Sequence, residues 1–147
     1  MVCAGKRLMV PMNRETPEKV ELLPSLTLAY IGDAVYELWV REHLVAQGCT
    51  KVHDLHRMAI KYVNAGTQSK LVAQLDALLD EKEAQVLRRG RNAKSGRQPK
   101  HMEMIDYRRA TGLEALVGYL YLEKKQERLE QIFSLLAQLI EAELAVK

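Results

Sequence analysis

From residue 25 onward, apolar residues recur at helical spacing and almost never alternate with period two, so the pattern predicts helices throughout. The first runs from after Pro24, with Ser25 as a cap, to a stop at Gly48. Leu28, Ile31, Val35 and Leu38 give it a core face. Ala29, Tyr36, Val40 and Leu44 make the opposite side apolar too, the signature of a helix in the middle of a bundle. A second helix, capped by Thr50, carries Val52, Leu55, Ala59 and Val63 and ends at Asn64 to Gly66. A third presents Leu71, Val72, Leu75, Leu78 and Leu79. Asp80 and Glu83 have capping-box spacing and open a short helix through Ala84 and Leu87 to the arginines. Tyr107 to Lys124 forms a second central helix with the stripe Leu113, Leu116, Val117, Leu120 and Tyr121. A last helix, about Glu127 to Leu144, points Leu129, Ile132, Phe133, Leu136 and Ile140 inward. Residues 1–20, with Pro11 and Pro17, read as a loose arm, and residues 21–147 as one domain.

Composition agrees with packed helices. Hydrophobic residues are 48% of the 147, yet aromatics are only 5%. Cys3 and Cys49 have neither a CxxC spacing nor a disulfide framework, and no run reaches the ~18 apolar residues of a membrane span. A cytoplasmic protein with free thiols is the expectation.

A net charge of +3 hides an uneven distribution. Arg88 to Lys100, RRGRNAKSGRQPK, holds six cations and no acid, and Gly90, Gly96 and Pro99 argue for a loop. A solvated charge run is the plain explanation; a phosphate-contacting element is the functional one. GRNAKSG lacks the Gly-Lys-Ser/Thr order and the preceding strand of a P-loop. His53 and His56 are three apart on one face but have no third ligand nearby, so they read as surface or RNA-facing residues. Trp39 and Tyr36 read as core or dimer-interface residues.

Two acids sit within the most apolar helices. Asp33, after Gly32 in the first, and Glu114, beside the stripe of the fifth, would converge if those helices pack together. Bare burial of either is costly, so each must be protonated, paired or bound to a cation. Such a pair suits Mg²⁺, which takes a few carboxylates and keeps several waters. A structural partnership with an arginine is the other reading.

Three segments resemble a known family. Tyr30-Ile31-Gly32-Asp33-Ala34-Val35 is similar to the first signature of ribonuclease III catalytic domains, and Glu114-Ala115-Leu116-Val117-Gly118-Tyr119-Leu120-Tyr121-Leu122 to the second. With RGRNAKSG, they resemble the compact branch that lacks a double-stranded-RNA-binding domain, over about residues 26–133. The resemblance implies an all-α ribonuclease III catalytic-domain bundle that dimerises. It implies Mg²⁺-dependent hydrolysis of double-stranded RNA leaving a 5′ phosphate, in maturation of large-subunit (23S) ribosomal RNA, with a ribosomal protein presenting the substrate. Asp33 and Glu114 match the catalytic, metal-binding acids. Arg88, Arg89, Arg91, Asn92, Lys94, Ser95, Arg97, Lys100 and Arg108 are the RNA-contacting candidates. The larger enzymes carry two further acids where this chain has Ala29 and Thr111, and Glu37 and Asp106 are the acids that could compensate, with pairing to a basic residue the favoured reading of Glu37. An RNA-binding module with weakened catalysis and a helical adaptor are the competing functions.

Overall fold

The computed structural model describes residues 19–94 and 104–146. Among them there is no strand. A 3-10 turn, Val20–Leu22, leads into α1 (Ser25–Ala46), α2 (Val52–Val63) and α3 (Ala65–Leu75). After a 3-10 turn at Asp76–Leu78 come α4 (Glu81–Asn92), α5 (Met104–Leu122) and α6 (Gln126–Val146). The all-α bundle expected from the hydrophobic pattern is the fold observed. Val20 is buried in the core, so the packed domain reaches back into the last residue of the expected arm; residues 1–18 lie outside the described residues.

Local chemistry sets the boundaries. Gly48 ends the first helical segment at φ +100°, a conformation that favours glycine, and the Gly48 and Cys49 amides donate to Val45 and Leu44 carbonyls at 3.0 and 3.2 Å. Ser25 and Thr50 do not act as caps: Pro24 and Lys51 occupy those positions, and neither makes a side-chain cap bond. Asn64 divides α2 from α3, and its Oδ1 accepts the Thr67 amide at 2.8 Å. The Asp80–Glu83 capping box forms as its spacing predicted, with reciprocal bonds of 2.8 and 3.0 Å.

Three expectations are corrected. α1 is not the middle of the bundle: Leu38, placed on its core face, is 42% exposed, while Ala29, Tyr36, Val40 and Leu44 are buried with Leu28, Val35 and Trp39. α5 takes the centre, touching α1, α3, α4 and α6, with every residue from Ala110 to Leu120 buried except Glu114. Leu78, expected in the core, is exposed because the chain leaves α3 in a 3-10 turn. Finally, α4 continues through the arginines to Asn92 instead of yielding to a loop at Arg88. Gly90 is there for proximity: a Cβ on it would lie 2.8 Å from the Ala115 Cβ and 2.9 Å from the Gly112 Cα. Packing against α5 outweighs its poor helix propensity.

A second close crossing joins α1 to α5. A Cβ on Gly32 would collide with the Glu114 carbonyl oxygen and lie 2.8 Å from the Gly118 amide nitrogen; one on Gly118 would collide with the Leu28 carbonyl oxygen. Leu28 thus faces Gly118 while Gly32 faces Glu114, so the helices run antiparallel with their backbones touching. Gly32→Ala is expected to cost roughly 3 kcal/mol or more, because backbone cannot yield as a side chain does. For a domain of this size that lowers the melting temperature by about 10 °C or more; a fall of less than about 2 °C in a thermal melt would contradict the crossing.

Candidate active site

The crossing fixes where the acids lie. Gly32 abuts the backbone of Glu114, and Asp33 is the next residue on α1. The two carboxyl groups are hydrogen-bonded to each other. They are not equivalent: Asp33 is exposed, whereas Glu114 is only partly accessible. The expectation that both occupy interior positions is therefore corrected for Asp33, which lies on the outward face of α1 beside Ala34 and Glu37. The site is half-buried on the α5 side and open to solvent on the α1 side.

Burial pushes the Glu114 carboxyl up to about 8, and the hydrogen bond that its protonated form donates to Asp33, together with the Asp33 charge, pushes the same way. Two carboxylates in contact repel when both are ionised, so without a cation one proton stays in the pair. Chemically, the pair can release that proton when a divalent cation takes its place.

The other acids do not join. Glu37 forms an exposed ion pair with Arg41 at 3.1 Å, the alternative its position on α1 allowed. Asp106 is in the first turn of α5, two turns before Glu114. Ala29 is buried. Thr111 is also buried, and its hydroxyl donates to the Tyr107 carbonyl at 2.9 Å, within its own helix. Among the described residues no three His, Cys, Asp or Glu side chains form a metal-binding group. His53 and His56 are exposed.

The cationic candidates divide. Arg88, Asn92 and Lys94 are exposed along and just beyond the last turns of α4, with Arg91 partly covered; Arg108 is exposed near the start of α5. Arg89 has structural work: its guanidinium donates to the Glu21 carbonyl at 2.9 Å and the Leu23 carbonyl at 3.5 Å, tying the segment before α1 to α4. Ser95, Arg97 and Lys100 lie outside the described residues.

Sequence reasoning missed three polar groups. Glu83 is buried and takes two bonds from Arg128, at 2.7 and 2.8 Å, which hold its carboxyl below the usual range against the opposing effect of burial. Glu141 on α6 accepts from His43, Gln47 and Tyr62 at 2.9, 2.9 and 3.2 Å. Gln68 is 4% exposed, and in the same core the Tyr36 hydroxyl donates to the Tyr62 carbonyl at 2.7 Å. The signal for Gln68 was available: a polar residue at a stripe position, one turn after Ala65 and before Val72. Trp39, between His43 and Phe133 in an aromatic stack with centroids 5.2 and 4.7 Å away, is core, as is Tyr36.

The geometry is that of a bundle with an acidic pair at its central crossing, and it finds its counterpart among known proteins. The family model for the ribonuclease III domain matches residues 26–125. A Mini-ribonuclease 3 of Symbiobacterium thermophilum is 50% identical over 119 residues, 81% of this chain and 92% of that protein. One from Brevibacillus brevis is 47% identical over 131 residues, 89% of this chain and 98% of that one. A crystal structure of a protein from Fusobacterium nucleatum superposes with a TM-score of 0.73 at 30% identity, covering 86% of this chain and 99% of that one. The chain belongs to the ribonuclease III domain family, in its Mini-ribonuclease 3 branch. It is an endoribonuclease.

The raised Glu114 carboxyl carries a sign. The folded state holds a proton that the unfolded chain gives up near 4.5, so this contribution is complete below 4.5 and is lost as pH rises through about 8. In metal-free protein the melting temperature is expected to fall between pH 5 and 9, and Asp33→Asn to flatten that fall. Carboxyl ¹³C shifts should show Glu114 titrating well above an ordinary glutamate; a midpoint near 4.5 would contradict the pairing.

Proposed function

We propose that the protein hydrolyses double-stranded RNA with Mg²⁺ held between Asp33 and Glu114, acts as a homodimer, and matures large-subunit (23S) precursor ribosomal RNA in the cytoplasm. The observation that carries the reading is the hydrogen-bonded acid pair at the α1–α5 crossing. When bound there, the ion would polarise a phosphoryl oxygen and lower the pKa of a nearby water. Asp33 is exposed and Glu114 only partly accessible, so these two side chains would hold the ion, Asp33 from the solvent side and Glu114 from the α5 side. Hydrolysis breaks the bond from phosphorus to the 3′ oxygen and leaves the phosphate on the 5′ end. Having two acids where the larger enzymes have four supports a lightly held ion that exchanges with solution.

Arg88, Arg91, Asn92 and Lys94 extend from α4 and, with Ser95, Arg97, Lys100 and Arg108, are the proposed phosphate contacts. No helix among the described residues is long and apolar enough to cross a membrane, and Cys49 is a free thiol. Support for the dimer comes from the outer face of α1, where Tyr30 is 79% exposed and Leu26, Leu38 and Val45 are exposed with it.

Digestion of a long RNA duplex with Mg²⁺ is the test. Asp33→Asn is expected to slow cleavage by roughly a thousandfold or more, about 4 kcal/mol of barrier, while duplex binding persists. Intact RNA with the wild-type chain, binding retained, would favour the non-catalytic module instead. The double variant Arg88→Ala/Lys94→Ala should reduce the slope of log affinity against log salt by about 2, whereas Arg89→Ala should cost stability and leave that slope nearly unchanged. A Tyr30→Glu chain of monomeric solution mass beside a dimeric wild type would support the proposed contact face; a monomeric wild type would exclude it.

A further inference from the structure

A cleft of about 410 Å³ opens where the end of α2 and one face of α3 meet the last turns of α6. Helical spacing builds it. Thr67, Lys70, Leu71 and Gln74 fall at i, i+3, i+4 and i+7 of α3, and Leu139, Ile140, Glu143 and Leu144 share one side of α6. Among the described residues none of those lining it belongs to α1, α4 or α5, so it is distinct from the acid pair and from the cations of α4. Clefts of roughly 300 Å³ and above are the size that small molecules occupy.

Its two halves differ in chemistry. The floor is aliphatic: Leu71 and Ile140 are buried, and Leu139 and Leu144 partly so. The rim is cationic and polar. Lys61 from α2 and Lys70 from α3 are both exposed, Thr67 adds a hydroxyl and Gln74 a primary amide. Among the described residues Lys61 forms no ion pair, while Lys70 reaches Glu143 at 2.9 Å between side chains that are 63% and 43% exposed. A pair so open to water contributes little, so Lys70 can turn to another anion. Asn64 is a fixed wall: its Oδ1 accepts the Thr67 amide at 2.8 Å and its Nδ2 donates to the Ile60 carbonyl at 3.1 Å.

An occupant that satisfies both halves is an anion carrying a compact apolar body. Duplex RNA does not fit, because its base faces are stacked on one another; it would offer phosphates to the rim and leave the floor unfilled. An unpaired nucleotide fits: a phosphate for the lysines, a base face for the leucines, and a base edge for Thr67 and Gln74. An acidic peptide carrying leucine has similar complementarity, but this chain is an endoribonuclease, and RNA is the polyanion it handles.

Building on the reading of the chain as a nuclease for RNA duplexes, we propose that the cleft between α2, α3 and α6 holds one unpaired nucleotide beyond the duplex. Lys61 and Lys70 take its phosphate, and Leu139 and Leu144 cover its base. The enzyme therefore prefers a duplex with a single-stranded flank to a blunt one.

The test uses the full chain, the variant Lys61→Gln/Lys70→Gln, and Gln74→Trp, whose ring covers the cleft from an exposed position. Adenosine 5′-monophosphate is titrated while the Leu139 and Leu144 methyl signals are followed. Cleavage with Mg²⁺ is measured on one duplex, either blunt or with a short single-stranded flank at each end. The wild-type chain should show saturable methyl shifts and a KM about tenfold lower for the flanked duplex, the low end of what one base contact contributes, with equal kcat. Both variants should lose the shifts and the KM advantage while cutting the blunt duplex as before. Should Gln74→Trp not fold, the lysine variant decides alone. Absence of the methyl shifts, equal KM values for the two duplexes, or an advantage that survives in the folded variants each overturns the proposal. Shifts produced by an acidic leucine-bearing peptide and not by the mononucleotide also overturn it and assign the cleft to a protein partner. A wild-type chain that cuts neither duplex overturns the acid-pair reading instead, and binding of the two RNAs to the same variants then decides for the cleft.

Discussion

Everything in this molecule that bears on chemistry depends on two helices lying closer than side chains normally permit. Gly32 on α1 and Gly118 on α5 remove the Cβ atoms that would otherwise hold the backbones apart, and the Glu114 carbonyl occupies the space one of them would have taken. The result is a register as well as a distance. Asp33, next to Gly32, and Glu114, one turn before Gly118, are brought side by side because their neighbours are in contact. A glycine within a helix is intrinsically unfavourable by roughly 1 kcal/mol relative to alanine, so two at one crossing are a local weakness that the packing of α5 offsets.

The same device appears a second time. Gly90 and Gly112 bring α4 against another side of α5, which is why the arginine-rich stretch begins as helix. One central helix thus sets both distances on which the proposed activity rests: acid to acid through α1, and cations to the body of the domain through α4. Around it, Glu83 with Arg128 and Glu141 with His43, Gln47 and Tyr62 tie α6 to α4, α1 and α2. Those pairs make the frame stiff, so a carboxylate pair that is unfavourable when ionised can be held in place.

Much of this was legible in the chain, and the reasons are physical. Helix number and order follow from apolar spacing, and the Asp80 capping box and the Gly48 stop follow from local bonding that needs no tertiary partner. That Glu114 has an acid for a neighbour was foreseeable because a carboxyl beside the apolar stripe of a buried helix demands a proton, a partner or a cation, whereas Asp33, on the outward face of α1, makes no such demand. Glycine was harder. Gly90 has one identity and two uses, chain breaker or close contact, and only the neighbouring α5 backbone selects between them. Leu38 and the centrality of α5 were misjudged because a helix apolar on both sides has two candidate core faces. Arg89 looked like one more cation until its reach to the Glu21 and Leu23 carbonyls was seen. Gln68 hid among polar residues of a short helix.

The central claim is that two side chains from α1 and α5 share one divalent cation. Crystals of the wild-type chain grown with Mn²⁺, measured at its absorption edge, test it most directly. The account predicts an anomalous peak within ligand distance of both the Asp33 and the Glu114 carboxylates. A map with that pair ordered and no peak between them, or with the metal bound elsewhere, would contradict it.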